Sequence, residues 1–210
     1  DPLARLQRDR MRLRVVPAHA ENYARALRPL AAHRDTWGSA IMAQVNWWLP
    51  LHELAPTRTM LIWPQRFARP ISNDSGDWDF DALKGGNDPD YPLLPTACAA
   101  PGEPGLPVLL EPGELLAFSA AHLHAGVSDA AGLTRFSLDT RSVWTDDVAA
   151  GRGAPNVDGH QGRRRWEWFN DRTASARTAA PAHAAARNVA MLPEGGAGQR
   201  CQRRRGGLPR

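Results

Sequence analysis

The sequence contains few residues of several types, and each scarcity limits what the protein can be. Two cysteines, Cys98 and Cys201, occur in 210 residues, which excludes a scaffold of several disulfides and a zinc site built from cysteines. Lys84 is the single lysine among 26 basic residues, a bias that genome composition explains as readily as function. No apolar run approaches the roughly 20 residues that a membrane-spanning helix needs. We therefore expect a cytoplasmic protein without a membrane partner.

The positive charge is unevenly distributed along the chain. The formal net charge is +4, but residues 160–210 carry 11 arginines and 3 acidic side chains, a net charge of +8, so residues 1–159 carry a net charge of −4. Few aromatic residues lie between the arginines of the tail, whereas single-stranded nucleic acids are usually bound by stacking on aromatic side chains. We do not expect a nucleic acid as partner, although a nucleic-acid-binding module is the alternative for this tail.

The length and the local patterns predict one domain with two flanking segments. Leucines and arginines alternate in residues 1–32, and we predict a helical segment there, truncated because the chain begins without methionine. Residues 33–150 contain short apolar runs between Pro, Gly, Asn and Asp, which predicts a β core with a long irregular insert at 68–107. Residues 151–210 have few large apolar side chains, which predicts a largely disordered tail.

The apolar runs of the core predict several short strands, at residues 40–51, 59–63, 107–110, 115–119 and 134–144. Strands at this spacing, joined by turns that contain Gly and Pro, favour an all-β sandwich or barrel. Within the core, Pro112 and Gly113 predict a tight turn, after which an apolar strand leads to two histidines, His122 and His124.

The pattern His33-Arg34-Asp35 is the first candidate for a metal site. Residues i and i+2 of a strand point to the same face, so an imidazole and a carboxylate would converge there. One histidine and one carboxylate are two of the three ligands in the facial triads that bind non-haem Fe(II). Residues 19–21 also fit the pattern, but they lie in a segment predicted to be helical, where i and i+2 do not share a face.

A third ligand must come from a distant strand, and two histidines compete for this role. His122 and His124 are two residues apart, so both could reach one face, and the register with Arg135 favours His124. Arg135, Ser137 and Asp139 share a face of the strand 134–144. An arginine inside a barrel needs an anion, and its planar guanidinium suits a carboxylate, whether an external ligand or a nearby acid such as Asp139.

The predicted strand 40–51 carries two amides on one face. Gln44, Asn46 and Trp48 are spaced by two residues, so their side chains point to the same side. Amide groups are costly to bury unless they bind something polar. This face of the strand therefore predicts a polar pocket.

Together these motifs resemble the phytanoyl-CoA dioxygenase-like family of Fe(II)/2-oxoglutarate-dependent oxygenases. The resemblance covers about residues 33–144 and depends on four segments: His-Arg-Asp-Thr-Trp at 33–37, Gln-x-Asn-Trp-Trp at 44–48, Pro-Gly-Glu-Leu-Leu-x-Phe-Ser-x-x-x-Leu-His at 112–124, and Thr-Arg-Phe-Ser-x-Asp-x-Arg at 134–141. It implies a mainly β fold, a double-stranded β-helix (jelly roll) of the cupin type. It also implies Fe(II) as cofactor, with 2-oxoglutarate and O2 as cosubstrates.

The resemblance implies a role for each matching residue. His33, Asp35 and His124 would be the metal ligands. Arg135, assisted by Ser137, would bind the distal carboxylate of 2-oxoglutarate, with Arg141 as the alternative for this role. The other pocket residues would be Gln44 and Thr36 near the cosubstrate, and Asn46, Trp37, Trp48, His122 and Arg141 near the substrate. The implied reaction hydroxylates or otherwise oxidises a C–H bond of a small organic molecule and releases succinate and CO2.

The resemblance leaves an alternative to catalysis. Enzymes of this kind normally carry more chain ahead of the first metal ligand than the 32 residues that precede His33. The alternative is therefore a cupin-like metal-binding or ligand-binding protein that has lost oxygenase turnover. Anaerobic addition of Fe(II) and 2-oxoglutarate should give a weak visible charge-transfer band with the enzyme, and absence of this band from folded protein would favour the alternative.

Overall fold

Two antiparallel sheets form most of the regular structure in a computed structural model of the chain, which describes residues 5–169 except 87, 89, 90, 128, 130 and 131. The larger sheet has five strands and the smaller has three. The fold is therefore mainly β, as the sequence predicts. In chain order the strands are β1 (Leu6–Arg8), β2 (Arg12–Val16), β3 (Val45–Pro50), β4 (Met60–Trp63), β5 (Leu106–Pro107), β6 (Leu116–Ser119), β7 (Leu123–Gly126) and β8 (Arg135–Trp144).

β8 organises the larger sheet. β3 pairs with one edge of β8, and β6 continues the sheet beyond β3. β1 and β2 pair one after the other with the opposite edge, which is possible because β8 is ten residues long. The smaller sheet has the strand order β5-β4-β7. The elements that bear on the candidate site are therefore β3, β7 and β8, together with the short chain segment that begins at His33.

The two sheets pack against each other through an apolar core. Trp48 of β3 and Phe118 of β6 contact Met60 of β4 in one cluster of buried side chains. Successive side chains of a strand point to opposite faces, and burial along β3 alternates accordingly, with Asn46, Trp48 and Pro50 buried. The predicted common face of the residues at even positions of this strand is thus confirmed, and it is the inward face.

The helices in the described ranges are short. The α-helices are α1 (Thr36–Ser39), α2 (Phe80–Gly85) and α3 (Thr145–Ala149), and 3-10 turns occur at Ala20–Asn22, Arg25–Leu27, Pro64–Arg66 and Trp166–Phe169. The segment 68–107, predicted to be irregular, thus contains α2 and β5. None of the helices in these ranges is long and apolar enough to cross a membrane. A cytoplasmic location stays a prediction.

The prediction of a helical segment at residues 1–32 is wrong where the structure describes it. The chain forms β1 and β2 and then two 3-10 turns. Apolar and basic residues alternate there with a period of two, which suits a strand, and pairing with β8 outweighs the helix propensity of leucine and arginine. Met11 and Leu13 are 66% and 58% exposed, so these apolar side chains do not form the buried face of a helix.

The predicted disorder of residues 151–210 is wrong for the part that the structure describes. Residues 151–169 form a loop and a 3-10 turn, and Trp168 and Phe169 are buried in a cluster with Ile41, Trp78 and Val143. These two aromatic side chains supply apolar area that the composition of the whole tail does not reveal. Residues 170–210 lie outside the described residues.

Candidate metal centre

The backbone holds His33 and His124 side by side. The His33 N–H donates to the His124 carbonyl at 2.9 Å, and the His124 N–H donates to the His33 carbonyl at 3.0 Å. Two residues that exchange both hydrogen bonds in an antiparallel pair lie directly opposite each other, and their side chains project to the same face. The imidazole rings are accordingly close, with their centroids 4.2 Å apart.

Hydrogen bonds to backbone carbonyls orient both imidazoles. Nδ1 of His33 lies 2.7 Å from the Ala31 carbonyl, and Nδ1 of His124 lies 2.9 Å from the His122 carbonyl. A carbonyl only accepts, so each Nδ1 carries the proton and each Nε2 keeps a free lone pair, the state of a histidine that binds metal. Burial, together with the nearby His33, lowers the pKa of His124 to about 3, which keeps its ring neutral.

Asp35 completes the cluster with one fixed and one free carboxylate oxygen. It immediately precedes α1, so the first helical turn, rather than a continuing strand, returns its side chain toward His33. Oδ2 accepts a hydrogen bond from Asn46 at 2.6 Å and lies 3.5 Å from Nε of Arg141. Oδ1 is buried without a hydrogen-bond partner, 3.6 Å from Nε2 of His33. Burial opposes its ionisation, but the positive charge of nearby Arg141 favours it, and the pKa of Asp35 lies below its usual range.

These three side chains fit a divalent cation. One ligand atom from each of His33, Asp35 and His124 lies within 4.8 Å of the other two, and all three residues are buried. A buried carboxylate oxygen without a partner is costly unless a cation or a donor satisfies it. Two imidazole nitrogens and one carboxylate oxygen are the donor set of the facial triad, which suits non-haem Fe(II). The residues that the sequence assigned to the metal therefore come together.

His122 lies outside this cluster. β7 begins at Leu123, so His122 precedes the strand, and His124 rather than His122 joins His33 and Asp35. Its ring packs against Phe67 at 4.5 Å and Phe118 at 6.4 Å between centroids, and burial lowers its pKa. The structure thus separates the two histidines that the sequence left in competition.

Arg135 and Ser137 lie on the inward face of β8 with unpaired polar atoms. Arg135 donates from Nη1 to the Thr59 carbonyl, and its guanidinium lies 6.0 Å from the centre of the Trp48 ring. Its Nε and the Ser137 hydroxyl are both buried without a hydrogen-bond partner. Burial and the nearby Arg14 lower the pKa of Arg135 to about 10, so the side chain stays charged at neutral pH. Arg135 lines the metal cavity and its guanidinium suits an anionic oxygen, whereas Ser137 is fully buried and does not line that cavity.

Arg135 makes no ion pair with Asp139. The carboxylate of Asp139 instead accepts from Arg14 of β2 at 2.9 Å. Asp139 is therefore not the acid that neutralises Arg135. Arg141 is engaged elsewhere, since it lies between Asp35 and Asp9, at 3.5 Å and 3.2 Å.

A cavity brings together most of the residues that the sequence assigned to the site: His33, Asp35, Asn46, Trp48, His124, Arg135 and Arg141. Met60 and Phe118 add apolar wall. Gln44 does not line it, although its Nε2 donates to Asn46 at 2.9 Å and thereby supports the amide that holds Asp35.

Thr36 and Trp37 do not line this cavity either. Both belong to α1, and Trp37 is completely buried in a core cluster with Trp63 and Leu123. Because the chain turns into a helix directly after Asp35, the Trp37 side chain points into the core rather than toward the metal cluster. Its assignment to the substrate pocket has no support in this geometry.

The sequence did not indicate Arg34 and Asp158, which lie beneath the site. Arg34 is 1% exposed and donates to Asp158 at 3.1 Å and to the carbonyls of Arg66 and Arg69 at 2.7 and 2.9 Å. Asp158 also accepts from the Trp37 indole at 2.7 Å. The partners of Arg34 come from loops and from the segment predicted to be disordered, so no local pattern could have identified them.

Comparisons with known proteins do not assign the chain to a family. No protein-family model matches the chain, and no curated protein matches it. Similar solved structures include EvdO2 from Micromonospora carbonacea var. aurantiaca, which is 12% identical with a TM-score of 0.49 over 67% of this chain and 53% of EvdO2. The epimerase SnoN in complex with Fe3+, α-ketoglutarate and nogalamycin RO is 18% identical with a TM-score of 0.44 over 66% of this chain and 50% of SnoN.

The non-haem monooxygenase ThoJ, as a nickel complex, is 18% identical with a TM-score of 0.37 over 66% of this chain and 44% of ThoJ. This chain thus spans about half the length of the solved structures that it resembles. At such identities and TM-scores, the function has to be argued from the residues of the site itself.

Proposed function

We propose that this chain is a non-haem Fe(II)- and 2-oxoglutarate-dependent oxygenase with a cupin-like, double-stranded β-helix core of the phytanoyl-CoA dioxygenase-like type. It would hydroxylate or otherwise oxidise a C–H bond of a small organic substrate and release succinate and CO2. One observation carries the proposal: the buried cluster His33–Asp35–His124 shares a cavity with Arg135, whose Nε has no partner.

Each residue of the cluster has a defined task. Nε2 of His33, Nε2 of His124 and Oδ1 of Asp35 would hold the metal, because these are the atoms that the hydrogen bonds of the site leave free. Asn46 and Arg141 fix the second oxygen of Asp35, so that this carboxylate presents one oxygen to the metal. When bound, Fe(II) with 2-oxoglutarate and O2 supplies the oxidising power for C–H cleavage.

Arg135 and Ser137 would bind the distal carboxylate of 2-oxoglutarate. A guanidinium forms charge-assisted, paired hydrogen bonds with a carboxylate, and the hydroxyl two residues along β8 adds a donor on the same face. Trp48, Met60 and Phe118 surround the site with apolar surface, which limits the access of water. Nε of Arg135, which lacks a partner in the protein, would then be satisfied by the cosubstrate carboxylate.

The test is anaerobic addition of Fe(II) and 2-oxoglutarate to the full chain, followed by O2. We expect a weak visible charge-transfer band on anaerobic addition and succinate after O2 is admitted. H124A should lose both, whereas H122A should retain the band because His122 lies outside the cluster. A band without succinate would favour the metal-binding protein that lacks turnover, and the absence of a band from folded protein would refute the proposal.

A further inference from the structure

A second cleft adjoins the metal cavity. The two share Arg14, Leu30 and Arg141 in their walls. Arg141 contacts residues of both, since its Nε lies 3.5 Å from the Asp35 carboxylate and its Cζ lies 4.7 Å from the centre of the Trp168 ring, which lines the second cleft. A molecule in this cleft would therefore lie within one side chain of a candidate metal ligand.

One wall of the cleft is strongly cationic. Four arginines line it against two acidic side chains, Asp9 and Glu167. Asp9 is shared, because it pairs with both Arg12 at 3.1 Å and Arg141 at 3.2 Å. Glu167 pairs with Arg163, which is not among the lining residues. The wall thus keeps more positive than negative charge, and a cleft with such an excess concentrates anions.

The strand geometry presents these arginines to the cleft. Arg12 and Arg14 lie two residues apart on β2, opposite Asp139 and Ser137 of β8, so both project from the inward face at the edge of the sheet. Arg14 is occupied by Asp139. The Arg10 side chain is exposed and makes no hydrogen bond or ion pair with the described residues, which leaves its guanidinium available.

The cleft also has an apolar part to its lining. Phe80 and Leu83 of α2, Leu94 and Trp168 contribute to it. Phe80 and Trp168 contact each other edge to face, with their centroids 6.2 Å apart. A cleft lined by both apolar and cationic side chains suits an amphipathic molecule rather than a free inorganic anion.

We propose that this cleft is the substrate site of the proposed oxygenase, an inference that rests on that function, and that the substrate is an amphipathic small molecule with a carboxylate or phosphate group. Its anionic group lies against Arg10 and Arg12, its apolar part packs on Phe80 and Trp168, and Arg141 marks the end nearest the metal. Carboxylates and phosphates share the anionic oxygens that a guanidinium recognises.

Isothermal titration calorimetry on the metal-free full chain tests the cleft without any turnover. The probes are phenyl phosphate and hexanoate, with benzyl alcohol and hexanol as their neutral counterparts. We expect at least one anionic probe to bind about tenfold or more tightly than its neutral counterpart at low salt, because charge-assisted hydrogen bonds are added. The preferred anion tells a phosphate substrate from a carboxylate substrate.

Variants locate the binding. R10Q/R12Q should weaken the anionic probe by about tenfold, whereas R152Q, which removes an exposed arginine paired with Asp147, should leave it unchanged. Arg10 and Arg12 are exposed, so the double variant should fold, and circular dichroism verifies this.

Two results would overturn the proposal: equal binding of anionic and neutral probes, or binding that R135Q abolishes while R10Q/R12Q leaves it intact. The second result would place the anion at the cosubstrate residues instead. Because neither metal nor 2-oxoglutarate is present, a failure of the oxygenase assay and a failure of this titration are separate outcomes.

Discussion

Residues 33 to 35 are all buried, yet the polar atoms of neighbouring residues are used in opposite ways. His33 and Asp35 line a cavity, and Oδ1 of Asp35 lacks a hydrogen-bond partner there, whereas the Arg34 guanidinium between them donates to Asp158 and to backbone carbonyls. A buried group without a partner costs free energy in the protein alone, and binding can recover that cost. In this segment, the unpaired carboxylate oxygen lies on the side that binds, and the satisfied guanidinium lies on the side that supports it.

Removal of Arg34 should give the largest effect on stability. R34M removes the counter-ion of the buried Asp158 carboxylate, which costs about 3–5 kcal/mol of unfolding free energy. R152Q breaks an exposed ion pair and should cost less than about 1 kcal/mol. Urea unfolding of both variants measures the difference, and equal, small losses would show that Arg34 does not support the site.

Acidic pH should destabilise the metal-free protein through His124, one of the candidate metal ligands. The pKa of His124 is lowered in the folded state to about 3, so the unfolded chain binds its proton more readily between pH 6.5 and 3. The contribution of His124 to the free energy of unfolding should therefore be fully present above about pH 6.5 and should be lost as the pH falls toward 3. Denaturant unfolding across this range, with H124A as control, checks the sign, since the variant should show a shallower decrease.

Loss of the Asn46 amide, which donates to Asp35, should have a smaller effect, and this effect is on metal affinity. N46A removes the donor that fixes Oδ2, and the loss of such a supporting hydrogen bond typically reduces metal affinity about 10- to 100-fold. Anaerobic calorimetric titration with Fe(II) measures the change. Q44A, which acts only through Asn46, should reduce the affinity less, and the opposite order would mean that Asp35 is not positioned by this chain of amides.

Replacement of Ser137 should have the smallest effect, and it tests whether this residue binds the cosubstrate or supports the fold. Its hydroxyl is buried and unpaired, so S137A should leave the stability of the protein unchanged or slightly increased. The same variant should weaken 2-oxoglutarate binding by about tenfold in the presence of Fe(II), because one donor to the carboxylate is lost. A clear loss of stability with unchanged 2-oxoglutarate affinity would place Ser137 on the supporting side.

The sequence predicted the residues that face the metal cavity better than the residues that support them from behind. Period-two alternation placed Asn46 and Trp48, and likewise Arg135 and Ser137, on inward faces, since a strand leaves little freedom in side-chain direction. The histidine-carboxylate spacing led to His33, although a helical turn rather than a strand brings Asp35 to it. Local rules therefore suffice where the backbone repeats.

The supporting side depends on contacts between segments that no local rule connects. Arg34 binds loop carbonyls and Asp158, and Trp168 packs against Gly38, where a Cβ would meet the indole ring at 2.5 Å. The N-terminal segment gave the wrong secondary structure because its partner, β8, lies at the other end of the core. Tertiary pairing, rather than propensity, decides such segments.

The reciprocal hydrogen bonds between His33 and His124 have a consequence for how this protein can change. They hold two candidate metal ligands directly opposite each other and close the chain between them into a loop. The length of this loop therefore does not change the distance between the two ligands. Insertions or deletions around α2, which lies within that loop and lines the second cleft, can reshape the cleft while the ligand pair keeps its geometry. The molecule that the cleft accepts and the chemistry of the metal can therefore change independently of each other.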